Sequence, residues 1–328
     1  MTEQKAKAAE RRISRRRLAE LAAGVAGGFA VRTAPAAEAR RFTRATPISA
    51  VQQDPVLGPY ADLIFPSDRG MWGSTLGDLR LMWYSEIDPD KTVEIVNYLK
   101  DRTAAGERVF LRFYSKEDIR RDPEKRATGL VFFKGKKGAP FAVCCAGGGF
   151  VYVGAMHDSF PHALELSKKG YNAFAIIYRP GAQTALEDLS RALIYIFDHA
   201  GELGVSTKNY SVWGGSAGAR MAAWIGTYGT GLFGERALPR PAAVIMQYTG
   251  LLGDVDRNTP PTYANVGDSD GIADWRTMER RIESIKALGI PAQFHCYRGL
   301  RHGFGLGHGT VAEGWIDQAV SFWESVMK

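Results

Sequence analysis

The residues best placed to do chemistry are Gly214-Gly215-Ser216-Ala217-Gly218, a G-x-S-x-G pattern. The apolar run Tyr210–Trp213 precedes it, and Met221, Ala222, Trp224 and Ile225 follow at helical spacing. A strand that turns abruptly into a helix at a serine lifts the hydroxyl above a sheet. Gly214 and Gly218 flank the turn where a Cβ would strike neighbouring backbone. The unpaired N–H groups at the helix start face the same point. The chemistry this permits is nucleophilic attack by Ser216. It needs a base to take the proton, an acid to orient the base, and N–H donors for the oxyanion.

Six histidines are available as the base. It belongs after the last strand and before the closing helix, where Tyr297-Arg-Gly-Leu-Arg-His302-Gly-Phe-Gly305 runs. His302 lies nearer the strand end and is preferred to His308. His295 falls within a strand, His199 ends a helix and His162 starts one, so these read as structural. His157, eight residues past Gly149, is a weaker candidate for lining a substrate pocket. The acid belongs on the preceding strand exit, Gly267-Asp268-Ser269-Asp270-Gly271. Asp270 lies further into the loop and is preferred; Asp268 is expected to brace the turn. Asp254 and Asp256 leave one strand too early. The chain order Ser216, Asp270, His302 suits an elbow of this kind. Donors are expected from Ala217 and from Ala146-Gly147-Gly148-Gly149-Phe150, which follows an apolar strand. The glycine run lacks both the phosphate-loop pattern and dinucleotide spacing, so no nucleotide is expected. No cofactor and no metal are expected.

These side chains must be delivered by strands and helices in alternation. Strands are expected at Arg108–Tyr114, Gly129–Phe133, Phe141–Cys145, Ala173–Tyr178, Tyr210–Trp213, Ala242–Tyr248, Thr262–Val266 and Ala292–Tyr297. Helices are expected at Asp90–Leu99, Pro161–Lys169, Leu186–His199, after Ser216, at Trp275–Leu288 and at Val311–Met327, with Ser115–Arg126 a charged link. Near-continuous apolar strands alternating with helices predict a mostly parallel central sheet covered on both faces. The early, closely spaced strands are expected to be antiparallel. Ligands then sit outside the carboxyl ends of the strands.

Over residues 105–328 the chain resembles the α/β-hydrolase superfamily, most closely the bacterial esterase and lipase branch with acetyl esterases and other carbohydrate esterases. The likeness rests on Gly147-Gly148-Gly149-Phe150, Tyr178-Arg179-Pro180, Gly214–Gly218, Gly267-Asp268-Ser269-Asp270 and His302-Gly303-Phe304. It implies Asp270 as the acid, because in that family the acid follows a glycine by three positions. It implies oxyanion donors at Gly148, Gly149 and Ala217. Ala146 departs from the histidine found before the glycines in hormone-sensitive-lipase-like members. There is also no long apolar cap insertion, which implies a site that is open or lidded by residues 40–105.

The implied activity is hydrolysis of a small-molecule or carbohydrate ester, short acyl groups first. Rivals are a peptidase of the prolyl-oligopeptidase kind and an inactive binding protein on the same scaffold. Trp72, Trp83 and Trp213 offer stacking surfaces for sugars but read more simply as core. Arg179-Pro180 reads as a brace at a sheet end.

The bulk composition agrees with a globular domain: 45% of the 328 residues are hydrophobic and 23% charged. Residues 1–39 hold eight Lys/Arg against four acids, so the remainder carries only +3 of the net +7. That makes no electrostatic case for nucleic acid. Ser14-Arg15-Arg16-Arg17-Leu18-Ala19 precedes a mild Ala/Gly-rich run and the small-residue sites Ala34-Pro-Ala36 and Ala37-Glu-Ala39. This looks like a twin-arginine export leader over residues 1–39, implying the export machinery as a partner and a periplasmic or secreted mature chain. The run is too short and mild to span a membrane. Residues 40–105 form an irregular prelude and 106–328 the catalytic domain. Cys144, Cys145 and Cys296 all lie in apolar runs and read as buried thiols, with a bond from Cys144 or Cys145 to Cys296 left open.

Overall fold

A computed structural model describes residues 41–66, 71–82, 87–251 and 253–328. The leader expected over residues 1–39 and Trp83 lie outside the described residues.

The prelude begins with short helical segments at Ile48–Gln52 and Ala61–Ile64 and a two-residue hairpin of β1 (Met71–Trp72) and β2 (Arg80–Leu81). Among its described residues the one long element is α1 (Pro89–Ala104). Asp88 caps α1 by accepting the N–H groups of Asp90 and Lys91, and Pro89 occupies the first turn, where its missing N–H costs nothing. Asn97 of α1 bonds the N–H and the carbonyl of Phe42, each at 2.9 Å. Residues 42–328 form one compact unit.

Then follow β3 (Phe110–Leu111), β4 (Gly129–Phe133), β5 (Pro140–Cys145), α2 (Phe160–Lys168), β6 (Asn172–Ile177), α3 (Ala182–Asp198) and β7 (Ser206–Gly215). After these come α4 (Ala217–Tyr228), β8 (Ala243–Gln247), β9 (Thr262–Gly267), α5 (Trp275–Ala287), β10 (Ala292–Tyr297) and α6 (Trp315–Ser325). The sheet order is β3-β4-β6-β5-β7-β8-β9-β10. The β3–β4 and β4–β6 pairs are antiparallel, and every pair from β6 through β5 to β10 is parallel. Strands β4, β6, β8 and β9 are buried throughout. Such burial requires cover on both faces. Side chains alternate along β7. Trp213 packs against Trp315 and Trp323 of α6, while the position of a Cβ on Gly214 falls on Gly218 of α4. Helices α6 and α4 therefore cover opposite faces.

The register brings the strand ends level: Cys145 pairs with Gly214, Gly215 with Gln247, Gln247 with Asn265, and Gly267 with Tyr297. The loops leaving β5, β7, β9 and β10 thus emerge side by side at one edge, as the α/β reading required.

Four expectations need correcting. Only Phe110–Leu111 of the expected Arg108–Tyr114 strand pairs, because Arg112 turns aside to bond Asp62 and two carbonyls. The Ser115–Arg126 link contains a helix, Lys116–Arg121, with a Ser115/Asp118 capping box. The closing helix starts at Trp315, since residues 307–314 are turns built on positive-φ glycines. Cys296 is exposed, whereas Cys144 and Cys145 are buried. Four strand spacings of about 4.8 Å separate β5 from β10, so neither can reach Cys296, and all three thiols are free.

Candidate active site

Ser216 sits where β7 becomes α4, with φ +53° and ψ −116°, a conformation most residues avoid. Its N–H donates to the Gln247 carbonyl at 3.0 Å, which ties the turn to β8. A Cβ on Gly214 would lie 2.2 Å from the Gly218 carbonyl, and one on Gly218 would lie 2.0 Å from the Cys145 carbonyl oxygen. The two glycines therefore allow the start of α4 to press against both β7 and the beginning of the glycine run.

His302 and Asp270 are brought to this serine. His302 Nε2 lies 3.0 Å from Ser216 Oγ, and His302 Nδ1 lies 2.8 Å from Asp270 Oδ2. A carboxylate can only accept, so Nδ1 carries the proton and Nε2 presents its lone pair to the serine hydroxyl. The Asp270 side chain is fully buried and that of His302 is 7% exposed. Asp270 is held by its other oxygen, which accepts the N–H groups of Ile272 and Ala273, both at 2.8 Å. Its two oxygens are thus divided between loop and imidazole.

The imidazole loop is pinned at Gly305, whose carbonyl accepts from Gln247 Nε2 and from Trp315 Nε1, each at 3.0 Å. The Tyr248 ring meets the His302 ring edge-on at 5.1 Å between centroids. Sequence reasoning missed Gln247 and Tyr248, which lie at the end of an apolar strand with no motif around them.

The glycine run leaves β5 beside the elbow. Among the described residues, no acceptor engages the N–H groups of Gly148, Gly149 or Ala217. Gly148 has φ +128° and Gly149 +61°. Gly147 N–H is taken by Asp158 Oδ2 at 2.9 Å, and the Ala146 carbonyl accepts the Tyr178 hydroxyl at 2.6 Å. Among the described residues four non-glycine residues have positive φ, and three of them, Phe150, Ser216 and Tyr248, belong to this site. Strain held at such positions is characteristic of working sites.

The other candidates fall elsewhere. Asp268 Oδ1 accepts the Gly299 N–H at 2.7 Å and so braces the β9 exit against the β10 exit. His308 faces Asp88 at 3.3 Å, and both line the cavity described below. Asp256 holds a turn at Asn258, and Asp254 is exposed. His162 is buried against Trp315, and burial pushes its pKa down to about 4. His295 stacks on Tyr263, and His199 lies at the end of α3 beside Tyr195. Arg179 bonds Asp188 at 2.8 Å and Asp122 at 2.5 Å, bracing the β6 exit. Trp213 is core and Trp72 is exposed. Helix α1 is the longest of the prelude, and its Asp88 and Lys91, with Ile87 just before it, line one wall of a cavity of about 710 Å³. Met156, His157, Pro161, Thr310 and the 299–308 loop with His302 line the rest. His157 reaches the cavity but is itself buried, which lowers its pKa. Among the described residues no group of His, Cys, Asp and Glu is arranged to hold a metal, and no helix is long and apolar enough to cross a membrane.

Residues 132–240 match the family model described as BD-FAE, a span that holds the glycine run and the elbow. Comparison with curated proteins gives no match. Among solved structures the chain is similar to an acetyl ester-xyloside bifunctional hydrolase from Caldicellulosiruptor lactoaceticus, with 23% identity and a TM-score of 0.58 over 66% of this chain and 96% of that one. It is similar to an α/β hydrolase from a Medee basin deep-sea metagenome library, with 22% identity and a TM-score of 0.56 over 66% and 96%. A thermophilic esterase from Thermogutta terrifontis, in a propionate-bound structure, gives 18% identity and a TM-score of 0.56 over 66% and 93%. The fold is that of the α/β-hydrolases.

Proposed function

We propose that this protein is a serine-dependent carboxylic ester hydrolase. The observation that carries the reading is the continuous line Asp270–His302–Ser216, with the tautomer fixed by its partners. Ser216 Oγ attacks an ester carbonyl while His302 Nε2 takes its proton. Asp270 holds the imidazole and stabilises the imidazolium without itself being protonated. The oxyanion is received by N–H groups of Gly148, Gly149 and Ala217. His302 then protonates the departing alcohol, and water repeats the sequence to free the acid.

The imidazole hands its proton to the alcohol, so the alcohol leaves on the His302 side. His302 also lines the cavity, and Asp88, Lys91 and Arg301 make its wall polar. A hydroxyl-rich alcohol such as a sugar suits such a wall. Short acyl groups, acetyl first, accord with the acetyl-ester hydrolase and the propionate-bound esterase among the similar structures. Export through the twin-arginine route belongs to the same reading and rests on residues 14–39. Fusion of residues 1–39 to a folded reporter tests it: the reporter should reach the periplasm, and Arg15→Lys with Arg16→Lys should hold it inside.

The test of the activity is hydrolysis of 4-nitrophenyl esters from acetate to octanoate beside acetylated xylan. Rates should be highest for acetate and fall with acyl length, and Ser216→Ala should abolish them. An undiminished rate in Ser216→Ala would refute the assignment.

A further inference from the structure

Asp158 is a charged residue for which the mechanism above has no use. Its side chain is wholly buried, and among the described residues its one ion-pair candidate is His157, with Nε2 3.4 Å from Asp158 Oδ1. Burial lowers the pKa of His157 and so favours the neutral ring. A buried carboxylate without a cation is expensive unless hydrogen bonds satisfy it. Two do: Oδ2 accepts the Gly147 N–H at 2.9 Å, and Oδ1 accepts the Tyr248 hydroxyl at 2.5 Å. The carboxylate also lies directly beneath the elbow. A Cβ on Gly215 would come within 2.9 Å of Asp158 Cγ and 3.0 Å of the Tyr248 ring. One side chain therefore touches three parts of the site. It holds the first glycine of the run, underlies the residue before the nucleophile, and bonds the tyrosine packed edge-on against His302.

We infer that Asp158 and Tyr248 are positioning residues that lock the oxyanion loop to the imidazole, so that donors and base are set by one buried carboxylate. The inference rests on the hydrolase reading. Fixing Gly147 fixes the peptide plane that leads into Gly148, and the donors that follow keep their place only while that plane does. The Tyr248 backbone, at φ +33°, is itself strained, as expected of a side chain whose position is dictated by its partners.

The experiment measures kcat and KM on 4-nitrophenyl acetate, and the inhibition constant of phenylboronic acid, whose tetrahedral adduct on Ser216 places an oxygen where the oxyanion forms. The full chain is used, as wild type, Asp158→Ala, Asp158→Asn and Tyr248→Phe. Asp158→Ala is expected to lower kcat about 10²-fold with KM within about twofold, and to weaken the boronate by a similar factor. Asp158→Asn keeps an acceptor for Gly147 and should recover about tenfold of that loss. Tyr248→Phe keeps the ring on His302, removes only the hydroxyl, and should lose about tenfold in kcat and in boronate affinity together. If Asp158→Ala does not fold, Asp158→Asn and Tyr248→Phe carry the test. Variants that melt lower but keep kcat and boronate affinity would overturn the inference, because a purely structural role predicts that outcome. An active wild type with unaffected variants sinks this inference alone. A wild type that neither hydrolyses the ester nor binds the boronate sinks the hydrolase reading and this inference with it.

Discussion

Replacing Gly148 by alanine should disable the site far more than it destabilises the fold. The backbone there has φ +128°, and an added Cβ would lie 2.1 Å from the Tyr152 carbonyl oxygen and 2.8 Å from its carbon. An acceptable C···O contact is about 3.3 Å, so the two strands of the loop must part by about 1 Å. The conformation costs a further 1–3 kcal/mol or so for a residue with a Cβ. Oxyanion donors work within about 2.7–3.1 Å of the developing charge, and a displacement of about 1 Å removes them from that window. The expected loss is about 3–4 kcal/mol of transition-state stabilisation, or roughly 10²–10³ in kcat, with little change in KM. Gly106→Ala is the matched control. Its φ is +79°, and nothing lies within 4 Å of the added carbon. It should cost about 1 kcal/mol of stability, a few degrees of melting temperature, and leave kcat alone. The assay is steady-state hydrolysis of a short 4-nitrophenyl ester beside thermal melting of both variants. A Gly148→Ala protein with kcat within twofold of wild type would refute the assignment of this loop as the oxyanion site.

Other consequences can be checked as directly. Asp270→Asn should lower kcat by about 10⁴ through the wrong imidazole tautomer, while Asp268→Asn, which loosens the bonds from Gly299 and Ser269, should leave kcat within a few fold; comparison of the two kcat values decides between the aspartates. Burial holds the His162 pKa at about 4, below its unfolded value, so the unfolded chain binds the extra proton. Its contribution to stability is therefore complete above about pH 6.5 and is lost as pH falls toward 4, amounting to about 2 kcal/mol between pH 7 and pH 5. Urea unfolding at those two pH values should show the loss, and His162→Gln should flatten it. A thiol-titrating disulfide reagent should find one fast thiol, Cys296, in the native protein and three after denaturation, because Cys144 and Cys145 are enclosed by the sheet and burial raises their pKa values.

The parallel sheet and the relation of Ser216, Asp270 and His302 could be read from the chain. Each side chain follows a recognisable apolar strand, and parallel strands deliver their exits to one edge. Asp270 could be preferred to Asp268 but not separated from it, because two further residues of loop give it freedom to turn back; in the fold Asp268 stays at the strand end and holds Gly299. The prelude was harder to read. Strands β1 and β2 are two residues each, too short for any period to show, and Arg112 interrupts β3 for a partner fifty residues away. The Lys116–Arg121 helix was within reach, since the Ser115-x-x-Asp118 box is a start signal, but its charge obscured it. Asp158 and Tyr248 belong to no motif, and their importance comes from burial that only the folded chain displays. The one trace they leave is a His-Asp pair inside the largely apolar segment from Phe150 to Leu164.

Covalent labelling of Ser216 bears most directly on the site. A fluorophosphonate is attacked only by a serine whose proton is taken by a correctly placed base. Incubation of the full chain followed by peptide mass spectrometry should place a single adduct on Ser216. The adduct should be absent in Ser216→Ala and should form at least about 10³-fold more slowly in His302→Ala. An unlabelled Ser216 in the wild-type protein, or labelling at an unchanged rate without His302, would contradict the proposed nucleophile and base.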